Sequence, residues 1–333
     1  MVGSKRFPTS AEVARLAGVS QSAVSRTFTP GASVSAQTRE KVLAAAKTLG
    51  FQPSLIPKIM LTNRSGLVAI MTGGLESAFY ARVVQTFAAR LREAGNQVVL
   101  VPVDSDYTLD AVSVRLAQYR VDAIVSALAV LTREAAEILS ASRIPVVSFN
   151  TPVTAARVGS VGSDQVLGGR RAATLLHRRG VRHPAFIAGP ADSPASTERL
   201  YGFRQEASRL GLPDPRVAGQ AYTYEAGAAA AAHLLSSGSV HGLFCVNDLC
   251  ALGAIDTLRQ AGLRVPGDVR VIGYDDIPSA ALAAYDLTSF DQDVPALVET
   301  ALAMIARLSR AEELAGERVL IPPRLVERGS TRK

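Results

Sequence analysis

The sequence predicts a small all-α helix-turn-helix head followed by an α/β core of two doubly wound parallel-sheet subdomains. Three observations lead to that class. Excess positive charge is confined to the first 65 residues, short capped helical patterns fill the same stretch, and from Ser65 onward apolar strand-length runs alternate with amphipathic helices.

The 333 residues, 48% hydrophobic and 20% charged, suit a globular chain of two or three domains at roughly 150 residues each. Two cysteines exclude a disulfide scaffold, and no apolar run approaches the roughly 20 residues of a membrane-spanning helix. The polar stretch Met1–Ser10 lacks the apolar segment of a secretory signal, so the expected compartment is the cytoplasm. Residues 1–65 hold nine Lys and Arg against two acids, which accounts for the whole net charge of +7, and the remainder is balanced. A basic module in front of a neutral body suits a polyanion, with a solvated basic tail as the plainer alternative.

Within the head, Thr9 and Glu12 have capping-box spacing, and Val13, Leu16 and Ala17 would form the buried stripe of a first helix ending at Gly18. Ser20 can cap a second helix, Gln21–Thr27, with Ala23 and Val24 inward and Val19 packed in the turn. A third helix would follow Ser35 through Val42, Leu43, Ala46 and Leu49 and stop at Gly50.

In the core, seven strands are expected: Gly66–Thr72, Gln97–Asp104, Val121–Leu128, Ile144–Asn150, His183–Gly189, His241–Asn247 and Asp268–Tyr274, with helices between them. So many units exceed one small sheet and fit two. The Gly- and Ser-interrupted segment Val158–Asp164 and the segment Ser289–Asp293 are the expected crossovers, and Arg318–Glu327 is the expected last strand.

Sites in open α/β sheets lie beyond the carboxyl ends of strands, where Asn150, Asn247, Asp248, Asp275 and Asp276 fall. Such groups, joined by an Arg, suit the hydroxyls of a small polar ligand; equally, they can cap helices and turns. No dinucleotide, P-loop, nucleophile-elbow or zinc-protease motif is present, which opposes an enzyme. His177, His183, His233 and His241 are scattered at no metal-ligand spacing, and Cys245 and Cys250 read as reduced core residues, so neither a metal nor a cofactor is expected.

The stretches TSAEVARLAGVSQSAVSR (Thr9–Arg26), VSAQTREKV (Val34–Val42) and LGFQP (Leu49–Pro53) resemble the head of the lactose-repressor/galactose-repressor (LacI/GalR) family. FIAGP (Phe186–Pro190), RLYGF (Arg199–Phe203), NDLCALG (Asn247–Gly253), GLRVPGDVRVIGYDD (Gly262–Asp276) and LTSFDQ (Leu287–Gln292) extend the resemblance over nearly the whole chain. It implies a DNA-binding head (1–53), a hinge (54–65) and a core of periplasmic-binding-protein type I. The core would divide into an N-subdomain (66–162 plus 291–318) and a C-subdomain (163–290 plus 319–330), with an effector cleft between them.

On that pattern Gln21, Ser22 and Arg26 meet major-groove base edges, and Ser20, Ser25, Ser35 and Thr38 serve phosphates and capping. Met60 takes the place of the Leu that the family's hinge helix pushes into the minor groove, with Pro57 in that helix's first turn. Phe79, Asn150, Arg199, Tyr222, Asn247 and Asp275 match effector-binding positions, Asn150 standing where several sugar-responsive members have Asp. The expected function is an allosteric regulator of transcription, a repressor, that binds operator DNA as a homodimer and responds to a sugar or sugar derivative. A solute-binding protein without DNA regulation is the alternative.

Overall fold

The computed structural model describes residues 7–29, 31–53, 59, 64–73, 77–103, 116, 119–127, 137–138, 141, 143–152, 155–310 and 316–332. It divides into two compact units, residues 1–65 and 66–333. Ser54, Pro57 and Met60, on which the hinge expectation rests, lie outside the described residues.

The head holds α1 (Ser10–Ala17), α2 (Gln21–Phe28) and α3 (Ala36–Leu49). Thr9 and Glu12 form a complete capping box, Ser20 and Ser35 cap the next two helices, and Gly18 and Gly50 end α1 and α3 in the left-handed conformation. Val13, Ala14, Val24, Val42, Ala45 and Ala46 form the core. Leu16 and Leu43, expected inside, are 54% and 46% exposed. At about 100° per residue, Leu16 falls well outside the arc defined by Val13, Ala14 and Ala17, and Leu43 outside that of Val42, Ala45 and Ala46.

The second unit carries two parallel sheets. β1 (Leu67–Thr72), β2 (Gln97–Pro102), β3 (Ala123–Ala127), β4 (Val146–Phe149), β5 (Val158–Ser163) and β11 (Arg318–Ile321) pair in the order β11-β5-β4-β3-β1-β2. β6 (Pro184–Ile187), β7 (Arg216–Ala218), β8 (Gly242–Cys245) and β9 (Arg270–Ile272) form a second sheet, order β7-β6-β8-β9. β10 (Ser289–Asp291) and β12 (Arg324–Val326) make an antiparallel pair beside β9. Near-continuous apolar strands are what burial on both faces requires. The covering helices are α4 (Ala78–Glu93), α5 (Gln165–Arg178), α6 (Pro194–Arg209), α7 (Tyr224–Ser236), α8 (Asp248–Gln260) and α9 (Val294–Arg310).

Three expectations are corrected here. Val158–Asp164 is not a connector: residues 158–163 are a fully buried strand inside the first sheet, and the chain passes to the second lobe at Asp164, the cap of α5. Its glycines mark close approach, because a Cβ at Gly159 would meet the Met304 side chain and one at Gly162 would lie 2.9 Å from Asn150 Oδ1. Ser289–Asp291, likewise read as connector, is strand β10, and the chain rejoins the first lobe after Gln292 through α9, which packs on that lobe's core. The expected last strand is two strands in different sheets. β11 pairs with β5 and β12 with β10, so the division at 318/319 moves to Pro322–Pro323, where two missing N–H donors interrupt the ladder.

Candidate functional site

In the head, Gln21, Ser22, Ser25 and Arg26 are exposed on α2, while Val24 and Thr27 face inward. Arg26 is held loosely, its Nε and Nη2 each 3.4 Å from Ser22 oxygens. The Ser20 and Ser22 hydroxyls lie 2.9 Å apart, and Ser35 Oγ donates to Thr38 Oγ1 at 2.8 Å. Arg39 donates to the carbonyl of Thr27 at 3.0 Å, fixing α3 to the end of α2. The result is a short polar helix face carrying Gln and Arg on a rigid three-helix support.

In the second unit, Phe79, Asn150, Arg199, Tyr222, Asn247 and Asp275 all line one cavity of about 490 Å3, together with Ser77, Tyr80 and Gln292. Asn150 follows β4, Asn247 terminates the β8 run, Asp275 follows β9 and Gln292 follows β10, so the cavity opens at the carboxyl ends of strands in both lobes.

Arg199 is buried on α6, which meets α5 backbone to backbone: a Cβ at Gly202 would lie 2.1 Å from the Val166 carbonyl, and one at Gly169 2.1 Å from that of Arg199. Its Nε donates to Gln165 Oε1 at 2.7 Å, its Nη1 donates to the Val246 carbonyl, and its guanidinium lies over the Tyr274 ring. Tyr274 in turn meets Ser163 Oγ at 3.1 Å. Burial pushes the Asp275 carboxyl up to about 6 against the opposing pull of Arg199 and of the Gln292 amide, whose Nε2 donates to Asp275 Oδ1 at 2.6 Å. Desolvation also raises the Tyr80 and Tyr222 phenols, which stay neutral donors at physiological pH. Phe79 and Tyr80 meet edge to face at 5.3 Å, and the Tyr222 hydroxyl bonds Ser193 Oγ.

The Asn247 amide is engaged by the fold: Oδ1 caps α8 through Cys250 N at 2.9 Å and Nδ2 donates to the Tyr222 carbonyl at 2.9 Å. Asp248 accepts from Ile277 N at 2.8 Å and from Ser289 Oγ, away from the cavity, and Asp276 pairs with Arg328 at 2.7 Å. Gln292 and Tyr80 were not singled out by sequence reasoning, although LTSFDQ ends at Gln292. Cys245 and Cys250 are free and buried, burial pushing the Cys250 thiol up to about 12. The His183 and His241 rings, scattered in sequence, meet edge to face at 5.0 Å because they head adjacent strands in matching register. No helix among the described residues is long and apolar enough to cross a membrane.

Residues 9–54 match the model of bacterial regulatory proteins of the lacI family, and residues 173–331 match a periplasmic binding protein-like domain. The transcriptional regulator CelR of Thermobifida fusca is 35% identical over 300 residues, spanning 86% of this chain and 88% of CelR. The chain belongs to the LacI family. The ribose operon repressor of Escherichia coli K12 is another such relative, 30% identical over 96% of this chain and 98% of its own length. Among solved structures, the Lac repressor dimer bound to operator and the anti-inducer ONPF matches with a TM-score of 0.87 at 26% identity, over 98% of this chain and 99% of that one. The CelR–cellobiose complex matches with a TM-score of 0.72 at 31% identity, over 97% of this chain and 99% of that one. This LacI-family member is therefore a DNA-binding transcriptional regulator, with a periplasmic-binding-protein-like core behind its helix-turn-helix head.

Proposed function

We propose that this regulator is a cytoplasmic repressor that binds a pseudo-palindromic operator as a homodimer and adjusts its affinity to a sugar or sugar derivative held between the core lobes. The reading is carried by the convergence of Arg199 and Asp275 with the aromatic faces of Phe79, Tyr80 and Tyr222 on one cavity of about 490 Å3. A carboxylate and a guanidinium bond vicinal hydroxyls, and flat apolar rings cover the C–H face of a pyranose. That volume suits a ligand of one or two sugar rings. The relative CelR was solved with cellobiose, which supports the same class here. The constellation suits binding and orienting a polar ligand, which fits a sensing role.

In the same reading, Gln21, Ser22 and Arg26 face base edges, Ser20, Ser25, Ser35 and Thr38 face phosphates or caps, and Met60 in the 54–65 link wedges the minor groove. Ligand occupancy would change operator affinity through a coupling of about 1–3 kcal/mol, about 5- to 150-fold. A thermal-shift screen of the full chain against cellobiose, other di- and monosaccharides, sugar acids and purines tests the effector class. A saccharide is expected to raise Tm and to change operator retention. A response to purines alone would overturn the sugar assignment.

A further inference from the structure

One line of hydrogen bonds runs between the lobes beside the cleft. The Ser163 backbone N–H donates to Asn150 Oδ1 at 2.9 Å, Asn150 Nδ2 donates to Gln292 Oε1 at 3.1 Å, and Gln292 Nε2 donates to Asp275 Oδ1 at 2.6 Å. Its first two members belong to the β4–β5 side of the first sheet, its last to the β9 side of the second, and Gln292 sits where the chain passes between them. Gln292 is 1% exposed, and its side-chain oxygen and nitrogen each meet a partner within the protein.

The polarity of this line is fixed at both ends. A backbone N–H can only donate and an ionised carboxylate can only accept. Two amides strung between them, each with one donor end and one acceptor end, fit in a single orientation.

We propose that Gln292 is a positioning residue that fixes the Asp275 carboxylate for the effector and makes the residue types at 150 and 275 interdependent. With Oδ1 held by Gln292, the second Asp275 oxygen has no hydrogen-bond partner among the described residues and is left for a donor group of the ligand. An amide at 150 therefore goes with an acceptor at 275. An acid at 150 would force the Gln292 amide to turn over and set its oxygen against Asp275, two acceptors in contact with no proton between them. Asn150 thus acts mainly through Gln292, with one amide hydrogen left for a ligand. The inference deepens the effector reading and rests on it for the ligand, but its test contains none, so a cleft that binds no sugar and a failed test are separate results.

The test is a variant cycle on the full chain, read as Tm at pH 7.5. Asn150→Asp is expected to lower Tm by about 3 °C or more in the native background. In the Asp275→Asn background it is expected to be nearly neutral, because the amide introduced at position 275 can turn to donate to Gln292. In a Gln292→Met background the dependence of one position on the other should fall by more than half, with Gln292→Asn, too short to span both partners, serving if the Met variant does not fold. Direct repulsion between carboxylates at 150 and 275 would survive the loss of Gln292, so a dependence of undiminished size in those backgrounds overturns the proposal. So does an Asn150→Asp penalty that is the same with an acid or an amide at position 275.

Discussion

The Arg199 guanidinium lies 3.6 Å from the centre of the Tyr274 ring, so a buried cation is held by an aromatic face as well as by its hydrogen bonds to Gln165 and Val246. The planar fork of arginine makes both kinds of contact at once, and lysine has neither the plane nor a second donor nitrogen. Arg199→Lys is expected to cost about 1–3 kcal/mol of stability by leaving buried acceptors unpaired, and to abolish the effector-induced rise in Tm while operator binding persists. Thermal unfolding with and without the sugar found in the screen checks this; an unchanged sugar response in the variant would move the ligand away from Arg199.

Effector binding should depend on pH through Asp275. Its carboxyl sits at about 6 because of burial, above the ordinary carboxylate range, so it is ionised at pH 7.5 and largely neutral at pH 5. A ligand hydroxyl that donates to the carboxylate favours the ionised form. Affinity is expected to be flat above about pH 7 and to fall toward tenfold per unit below 6, and Asp275→Asn should flatten the profile at a lower affinity. Without ligand the sign reverses. The neutral acid is the form burial favours, so Asp275's contribution to stability is fully present below about pH 4 and is lost as pH rises through about 6. Calorimetric titrations from pH 5 to 8, paired with unliganded melts, separate the two effects.

Among the described residues, the hydrogen bonds of the Arg26 side chain are two long ones to Ser22, and the proposed role of that side chain is to read a base edge. Selection from randomised duplexes with Arg26→Ala should relax one base position on each half-site, at a cost of about 1–3 kcal/mol on the preferred sequence. Lys47→Ala, in the last turn of α3, should weaken all sequences slightly and equally. Equal losses on preferred and random DNA for Arg26→Ala would make it a phosphate contact. Affinity of the native chain should fall steeply with salt as neutralised phosphates release counterions.

Gly202→Ala puts a methyl group 2.1 Å from the Val166 carbonyl, where α5 and α6 touch. Both are backbone positions that can yield only by separating the helices. A loss of about 1–3 kcal/mol in urea unfolding is expected, together with a weakened sugar response because Arg199 rides on the displaced helix. A stable variant with full sugar affinity would show that α6 moves without carrying the site.

Legibility in the sequence followed range of interaction. The capped helices of the head and the apolar strands of the core are local patterns, and they stand where the residues indicate. β5 was hidden because its glycines and serines, which locally resemble a loop, answer to Met304, Asn150 and the carbonyl of Thr151, all supplied by other elements. The six cleft residues named from the family pattern converge on one cavity, but Asn247 is largely spent on capping α8 and holding Tyr222. Gln292 and Gln165 carry no local signal at all: a buried amide becomes meaningful only when its partners, 142 and 34 residues distant, are in place. Leu16 and Leu43 failed for a narrower reason, an apolar side chain one helical step off the buried arc.

The Pro322–Pro323 break also bears on the order in which the protein can be made. β11 flanks β5, and β12 pairs with β10, so both lobes take an element from the same short stretch after α9. Residues 328–331 then bond Thr288 and Val271. On the ribosome, neither lobe can close until that stretch has emerged: β5 waits as an unpaired edge while α5 through α9 are synthesised, and β10 waits while α9 is. The head, whose contacts are local, faces no such delay. A nascent chain therefore carries a folded DNA reader well before it has a completed sensor, and premature termination anywhere in α9 would yield a head attached to a core with two open sheets, a species for chaperones and proteases rather than for the operator.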